Sequence, residues 1–90
     1  MAYISSAILS GKLTGVTVTA VQVSSTSRPA QELLIQSDPA NTTNVLVGDS
    51  DSQNIVLTPG QSLTIPVNTL SLIWVKMASA TGVVNWLIRN

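Results

Sequence analysis

The chain predicts an all-β sandwich, and three features of its ninety residues lead there. Valine is abundant, with eleven residues, and threonine is frequent. Both are β-branched and stiff at χ1, which suits a pleated surface better than a helix. Apolar residues alternate with polar ones in short runs, and turn signals separate the runs. No stretch of useful length carries the helical period. Seven to eight antiparallel strands at roughly even spacing point to a sandwich or small barrel.

Taken in order, residues 1–13 read as an N-terminal arm or a first strand. Tyr3, Ile4, Ala7 and Ile8 fit one helical turn or an extended arm equally. Residues 14–90 read as the sandwich domain. Within 15–23, Val16 and Val18 alternate against Thr17 and Thr19, and the phase slips at Ala20-Val21, which predicts a bulge. A polar loop, Ser24-Ser25-Thr26-Ser27, precedes Arg28-Pro29. The next strand spans 32–37 and runs into Asp38-Pro39-Ala40-Asn41, where proline and Asx residues favour a turn.

Residues 44–48 form another strand, closed by Asp49-Ser50-Asp51-Ser52. A strand over 54–57 then reaches Thr58-Pro59-Gly60-Gln61. Proline at i+1 presets φ and glycine at i+2 accepts positive φ, the type II signature. This turn predicts a hairpin with 62–67, in which Leu63, Ile65 and Val67 share a face. Pro66 lacks an N–H, so that strand belongs at a sheet edge. Residues 71–77 are apolar on both faces, as in a central or interface strand. Ala80-Thr81-Gly82 turns the chain into 83–89, where Val84, Trp86 and Ile88 face one way and Asn85 and Arg89 the other.

Composition narrows the chemistry. The chain has no histidine, no cysteine and eight charged residues, four of each sign. The side chain that titrates nearest neutrality is therefore missing, as are the thiolate nucleophile and the soft metal ligand. Lys12, Arg28, Lys76 and Arg89 are scattered, so no basic patch for nucleic acid is expected. Twenty-two serines and threonines, with eleven asparagines and glutamines, supply the polarity instead. High mean hydropathy with zero net charge favours association. The apolar run over 70–80 is broken by Ser71, Lys76 and Ser79, so no membrane span is expected. The N-terminus has no basic region ahead of its apolar residues and does not read as a signal peptide.

Candidate sites are few. Asp49-Ser50-Asp51-Ser52-Gln53 resembles the opening of a calcium loop, but Asn54 stands where glycine makes the sharp turn and Gly60 where the bidentate glutamate belongs. A solvated connection is the favoured reading. Glu32, Asp38, Asp49 and Asp51 are the only carboxylate side chains, and three of them fall in turns. The serines have no histidine to activate them and no G-x-S-x-G elbow. Asn41-Thr42-Thr43 matches a glycosylation acceptor, a frequent chance pattern in such a chain. No enzymatic activity, metal or cofactor is expected. Trp86 reads as core, stacked on Trp74 across a hairpin; Trp74 suits core, interface or sugar platform equally. Leu34, Leu46, Val56 and Leu87 fall on strand faces that alternate outward, where adjacency would mark an interface.

From about Arg28 onward the chain resembles small structural proteins of tailed-bacteriophage virions. The matching segments are Asn44-Val45-Leu46-Val47-Gly48-Asp49-Ser50, Leu57-Thr58-Pro59-Gly60-Gln61-Ser62-Leu63, Leu70-Ser71-Leu72-Ile73-Trp74-Val75 and Gly82-Val83-Val84-Asn85-Trp86, in that order. The resemblance implies a compact, jelly-roll-like β-sandwich without catalytic residues, made in the host cytoplasm and carried on the virion. A capsid decoration or cement protein is the leading expectation: a homo-oligomer, three-fold by preference, bound to the major capsid protein. A tail or head-fibre subunit and a carbohydrate- or surface-binding module are the alternatives. Tyr3, Ile4, Ile8 and Leu9 are the expected arm contacts, and Leu34 and Leu46 the expected face contacts.

Overall fold

A computed structural model describes residues 8–23, 32–66 and 70–89. These described residues are all-β, with eight strands in two antiparallel sheets packed face to face. The strands are β1 (Ile8–Val16), β2 (Val21–Gln22), β3 (Glu32–Ser37), β4 (Val45–Gly48), β5 (Gln53–Leu57), β6 (Ser62–Ile65), β7 (Trp74–Met77) and β8 (Gly82–Arg89). A 3₁₀ turn, Leu70–Leu72, leads into β7. The first sheet runs β1-β8-β3-β6 and the second β2-β7-β4-β5.

That order is a jelly roll. The pairs β1·β8 and β3·β6 lie in one sheet, β2·β7 and β4·β5 in the other. The chain is thus a long hairpin folded about the β4–β5 turn and rolled so that alternate pairs enter opposite sheets. Two further ladders, β3·β8 and β4·β7, close each sheet.

Strict alternation puts the core where the sequence placed it. Leu33 and Ile35 of β3, Val45 and Val47 of β4, Val75 and Met77 of β7, and Val84 and Ile88 of β8 are buried between the sheets. Val16, Val23, Leu57 and Ile73 complete this interior, with Trp86, Leu63, Ile65 and Leu13 packed against it. Such burial is the main term stabilising a phenylalanine-free, disulfide-free domain.

Several expectations need correction. The Pro59-Gly60 turn is present: Gly60 has φ +87° and the Gln61 N–H donates to the Thr58 carbonyl at 2.8 Å. It does not make a hairpin, because β5 and β6 belong to different sheets and the turn is the corner between them. Its backbone docks instead on Ser37, through Gly60 N–H to Ser37 O at 2.9 Å and Ser37 N–H to Gln61 O at 3.0 Å. Residues 15–23 are not one strand. β1 starts at Ile8 and its bulge lies between Leu13 and Val16, with Gly15 at φ +67°. The phase slip at Ala20-Val21 marks the crossing from one sheet to the other. Trp74 and Trp86 do not stack across a hairpin, since β7 and β8 are in different sheets. Residues 71–72 are in the 3₁₀ turn, so β7 starts later than the sequence suggests. Val67 lies outside the described residues.

Two side chains close the ends of the sandwich. The Asn41 carboxamide copies a neighbouring strand: its Oδ1 accepts from Val83 N–H and its Nδ2 donates to Val83 O, both at 2.8 Å. The same Nδ2 donates to the buried Ser37 hydroxyl at 3.0 Å. These bonds clamp the 38–41 turn on the start of β8, and they occupy the nitrogen that glycosylation would need. At the other side, Gly11 lies opposite Trp86, and a Cβ on it would sit 2.4 Å from the indole Cζ2. Gly11→Ala should therefore destabilise the domain by about 1–3 kcal/mol, in the range of other overpacked positions. Urea denaturation measures this; an unchanged midpoint would show that the indole can move aside freely.

Candidate functional site

The outward faces carry what the interior cannot. On the first sheet, Leu34 of β3 lies opposite Leu87 of β8 and Thr64 of β6. Leu34 is half-buried and Leu87 remains 38% exposed. Polar contacts frame this pair. Arg89 Nε donates to Glu32 Oε1 at 3.1 Å, and Asn85 Nδ2 donates to Gln36 Oε1 at 3.1 Å and Asp38 Oδ2 at 3.2 Å. Lys12 Nζ approaches Asp38 Oδ2 at 3.8 Å, a long contact made by an exposed lysine and of small energetic weight. The buried Asn85 Oδ1 accepts no hydrogen bond from the described residues.

On the second sheet, Leu46 of β4 lies between Val56 of β5 and Lys76 of β7. Trp74, half-buried, lies between Gln22 of β2 and Gly48 of β4. The Gln22 Nε2 is fixed by the Ser71 carbonyl at 3.1 Å. Lys76 forms no ion pair among the described residues. Leu34, Leu87, Leu46 and Val56 therefore make two adjacent pairs on opposite faces of the sandwich, not one patch.

The expected contact residues are spread in the same way. Tyr3 and Ile4 lie outside the described residues. Ile8 and Leu9 belong to the edge strand β1, at register positions opposite Arg89 and Ile88. Residues 8–13 are thus part of that strand. Sequence reasoning passed over Ile55, which sits opposite the buried Val47 yet is 52% exposed. Its alternation reads as inward; only the knowledge that β5 ends a sheet reveals the exposure.

Two of the carboxylates, Asp38 and Asp49, are employed in turns. Asp49 Oδ1 accepts from the N–H groups of Asp51 and Ser52, both at 2.9 Å, and Gln53 Nε2 donates to the Asp49 carbonyl at 2.6 Å. The 49–52 hairpin is held by its own backbone. Those amides, Ser52 first and then Asp51, hold the Asp49 carboxyl below its ordinary value. Asp38 is lowered likewise, first by the Ala40 N–H and then by Asn85 and Lys12. Among the described residues, no group of three or more acids, histidines or cysteines is placed to hold a metal ion. No helix among them is long and apolar enough to cross a membrane.

No protein-family model, curated protein or solved structure matches the chain. The surface of the described residues carries apolar pairs on two faces and the unpaired edge of β5.

The turn aspartates generate a pH prediction. A carboxylate depressed in the folded state stays charged there while the unfolded chain, near 3.8, already binds its proton. Its contribution is full above that value and is lost as pH falls through the lowered folded value. The thermal midpoint should therefore drop in acid, and Asp38→Asn/Asp49→Asn should flatten that limb. Parallel acid limbs for the variant and the parent would contradict the assignment.

Proposed function

We propose that the protein is a non-enzymatic structural subunit of a phage virion, a decoration protein that self-associates and binds the head shell through its major capsid protein. One observation carries the reading: a jelly roll of zero net charge and few charged residues presents adjacent apolar side chains, Leu34–Leu87 and Leu46–Val56, on both outer faces. A sandwich acting alone in water needs neither pair. A subunit covered by neighbours on two sides uses both. The four segments that resemble virion proteins support a capsid protein as the covering partner. Two of them, 44–50 and 57–63, bracket β5, and the other two run through β7 and β8.

The mechanism is mass action. A subunit that binds the assembled shell and not dispersed capsid protein shifts the equilibrium toward the shell by RT ln(1 + [L]/Kd), about 2.7 kcal/mol at a hundredfold excess over Kd. No bond is made or broken, and no cofactor takes part.

A carbohydrate-binding module is the second reading, and one observation favours it. Trp74 lies opposite Gly48, where the Asp49–Gln53 segment begins, so the indole and that polar hairpin are neighbours. Titration of tryptophan fluorescence with a glycan panel separates the two readings. A saturable change lost in Trp74→Ala supports the module, and a flat response removes it.

The main reading predicts that antibody to this chain detects it in gradient-banded particles from the native host, at a copy number comparable to the capsid protein. Gold labelling over heads supports decoration, and labelling on tails or fibres moves the protein there. Complete absence from the particle band would contradict the proposal.

A further inference from the structure

Each sheet has two edges, and an unprotected edge is a template for another strand. Three of the four carry a recognised block. The β1 edge has the exposed Lys12 and the bulge at Gly15. β2 is two residues long. β6 is four residues long and is followed by Pro66, which has no N–H to offer. The fourth, β5, reads Gln53-Asn54-Ile55-Val56-Leu57, with no charge, proline or glycine. Its free side pairs with no strand among the described residues. Its consecutive Ile55 and Val56 are 52% and 49% exposed. They point to opposite sides of the strand, so packing on one face cannot cover both. A strand added along the edge flanks both.

We propose that β5 pairs antiparallel with β5 of a second copy about a two-fold axis at Ile55, joining the two second sheets into one of eight strands. This contact rests on the self-association proposed above and specifies its geometry. The charge pattern selects the arrangement. With Ile55 opposite its counterpart, Asn54 faces Val56 and Gln53 faces Leu57, so no charges meet. Asp51 falls opposite Pro59, and Asp49 opposite Gln61, so each acidic hairpin meets the neutral turn of the other copy. A parallel, in-register pairing would instead set both aspartates against their own copies and is disfavoured. The corner turn also joins β5 to β6, whose half-buried Leu63 and Ile65 pack against the core. A two-fold contact pairs copies, so it predicts a dimer in place of the three-fold state that the resemblance suggests.

The chain has no cysteine, which makes the test direct. Residues paired across antiparallel strands have Cα atoms about 4.5–5.5 Å apart, within disulfide range. Ile55→Cys should give a covalent dimer under mild oxidation, and Thr64→Cys on the β6 edge should not. Light scattering of the unaltered protein should give the mass of two copies. Ile55→Lys should raise the dissociation constant at least tenfold while keeping the β-sheet circular dichroism spectrum. A mass of three copies, or Ile55→Cys linking no faster than Thr64→Cys, overturns the β5 contact and leaves self-association standing. A mass of one copy at every concentration overturns both.

Discussion

Everything in this fold depends on β8 entering between β1 and β3. The first sheet has no other way to close: β1 finds its ladder only on β8, and the β3·β6 pair meets β1 only through that strand. The strand also carries Val84, Trp86 and Ile88 into the interior. Until it arrives, the inward sides of β1, β3 and β6 cannot form one surface for the second sheet to cover. Because β8 lies so far along the chain from β1, the domain cannot be assembled from local pieces, and slow, cooperative folding is the physical consequence.

The supporting details are arranged around that insertion. Gly11 leaves room on β1 for the Trp86 indole, and Asn41 supplies the hydrogen bonds that a further strand would have given Val83. Ser37 joins the same end to the corner turn through its backbone, while its hydroxyl accepts from Asn41. The interior is filled by apolar side chains, and the Asp38 and Asp49 carboxylates accept from nearby amides. What is left over is surface: two apolar pairs on opposite faces and one unblocked edge. The proposed function by contact rests on this distribution.

The sequence made the alternating strands legible and left the topology hidden. β3 was readable to the residue because the apolar run Leu33-Leu34-Ile35 is bounded by Glu32 and Gln36 and stops at the Asp38-Pro39 turn. β1 was obscured because glycine occupies one of its inward positions; Gly11 stands between Leu9 and Leu13 where an apolar residue would have shown the period. Its space is filled from β8, which no local pattern reports. The Pro59-Gly60 turn was correct in type yet misleading in consequence. Turn chemistry fixes φ and ψ over four residues and does not say whether the next strand pairs back or crosses to the other sheet. The outward pairs were half visible. Alternation marked Leu34, Leu46, Val56 and Leu87 as outward, but only strand order shows which of them are neighbours.

Native-state hydrogen exchange tests the claim about β8 most directly. If its insertion holds both sheets together, the slowest amides of β3, β4, β7 and β8 exchange with one common opening free energy, equal to that of global unfolding. Amides of β8 that open at a distinctly lower free energy, while β4 and β7 keep full protection, would contradict it. The second sheet would then stand without the strand on which the account makes it depend.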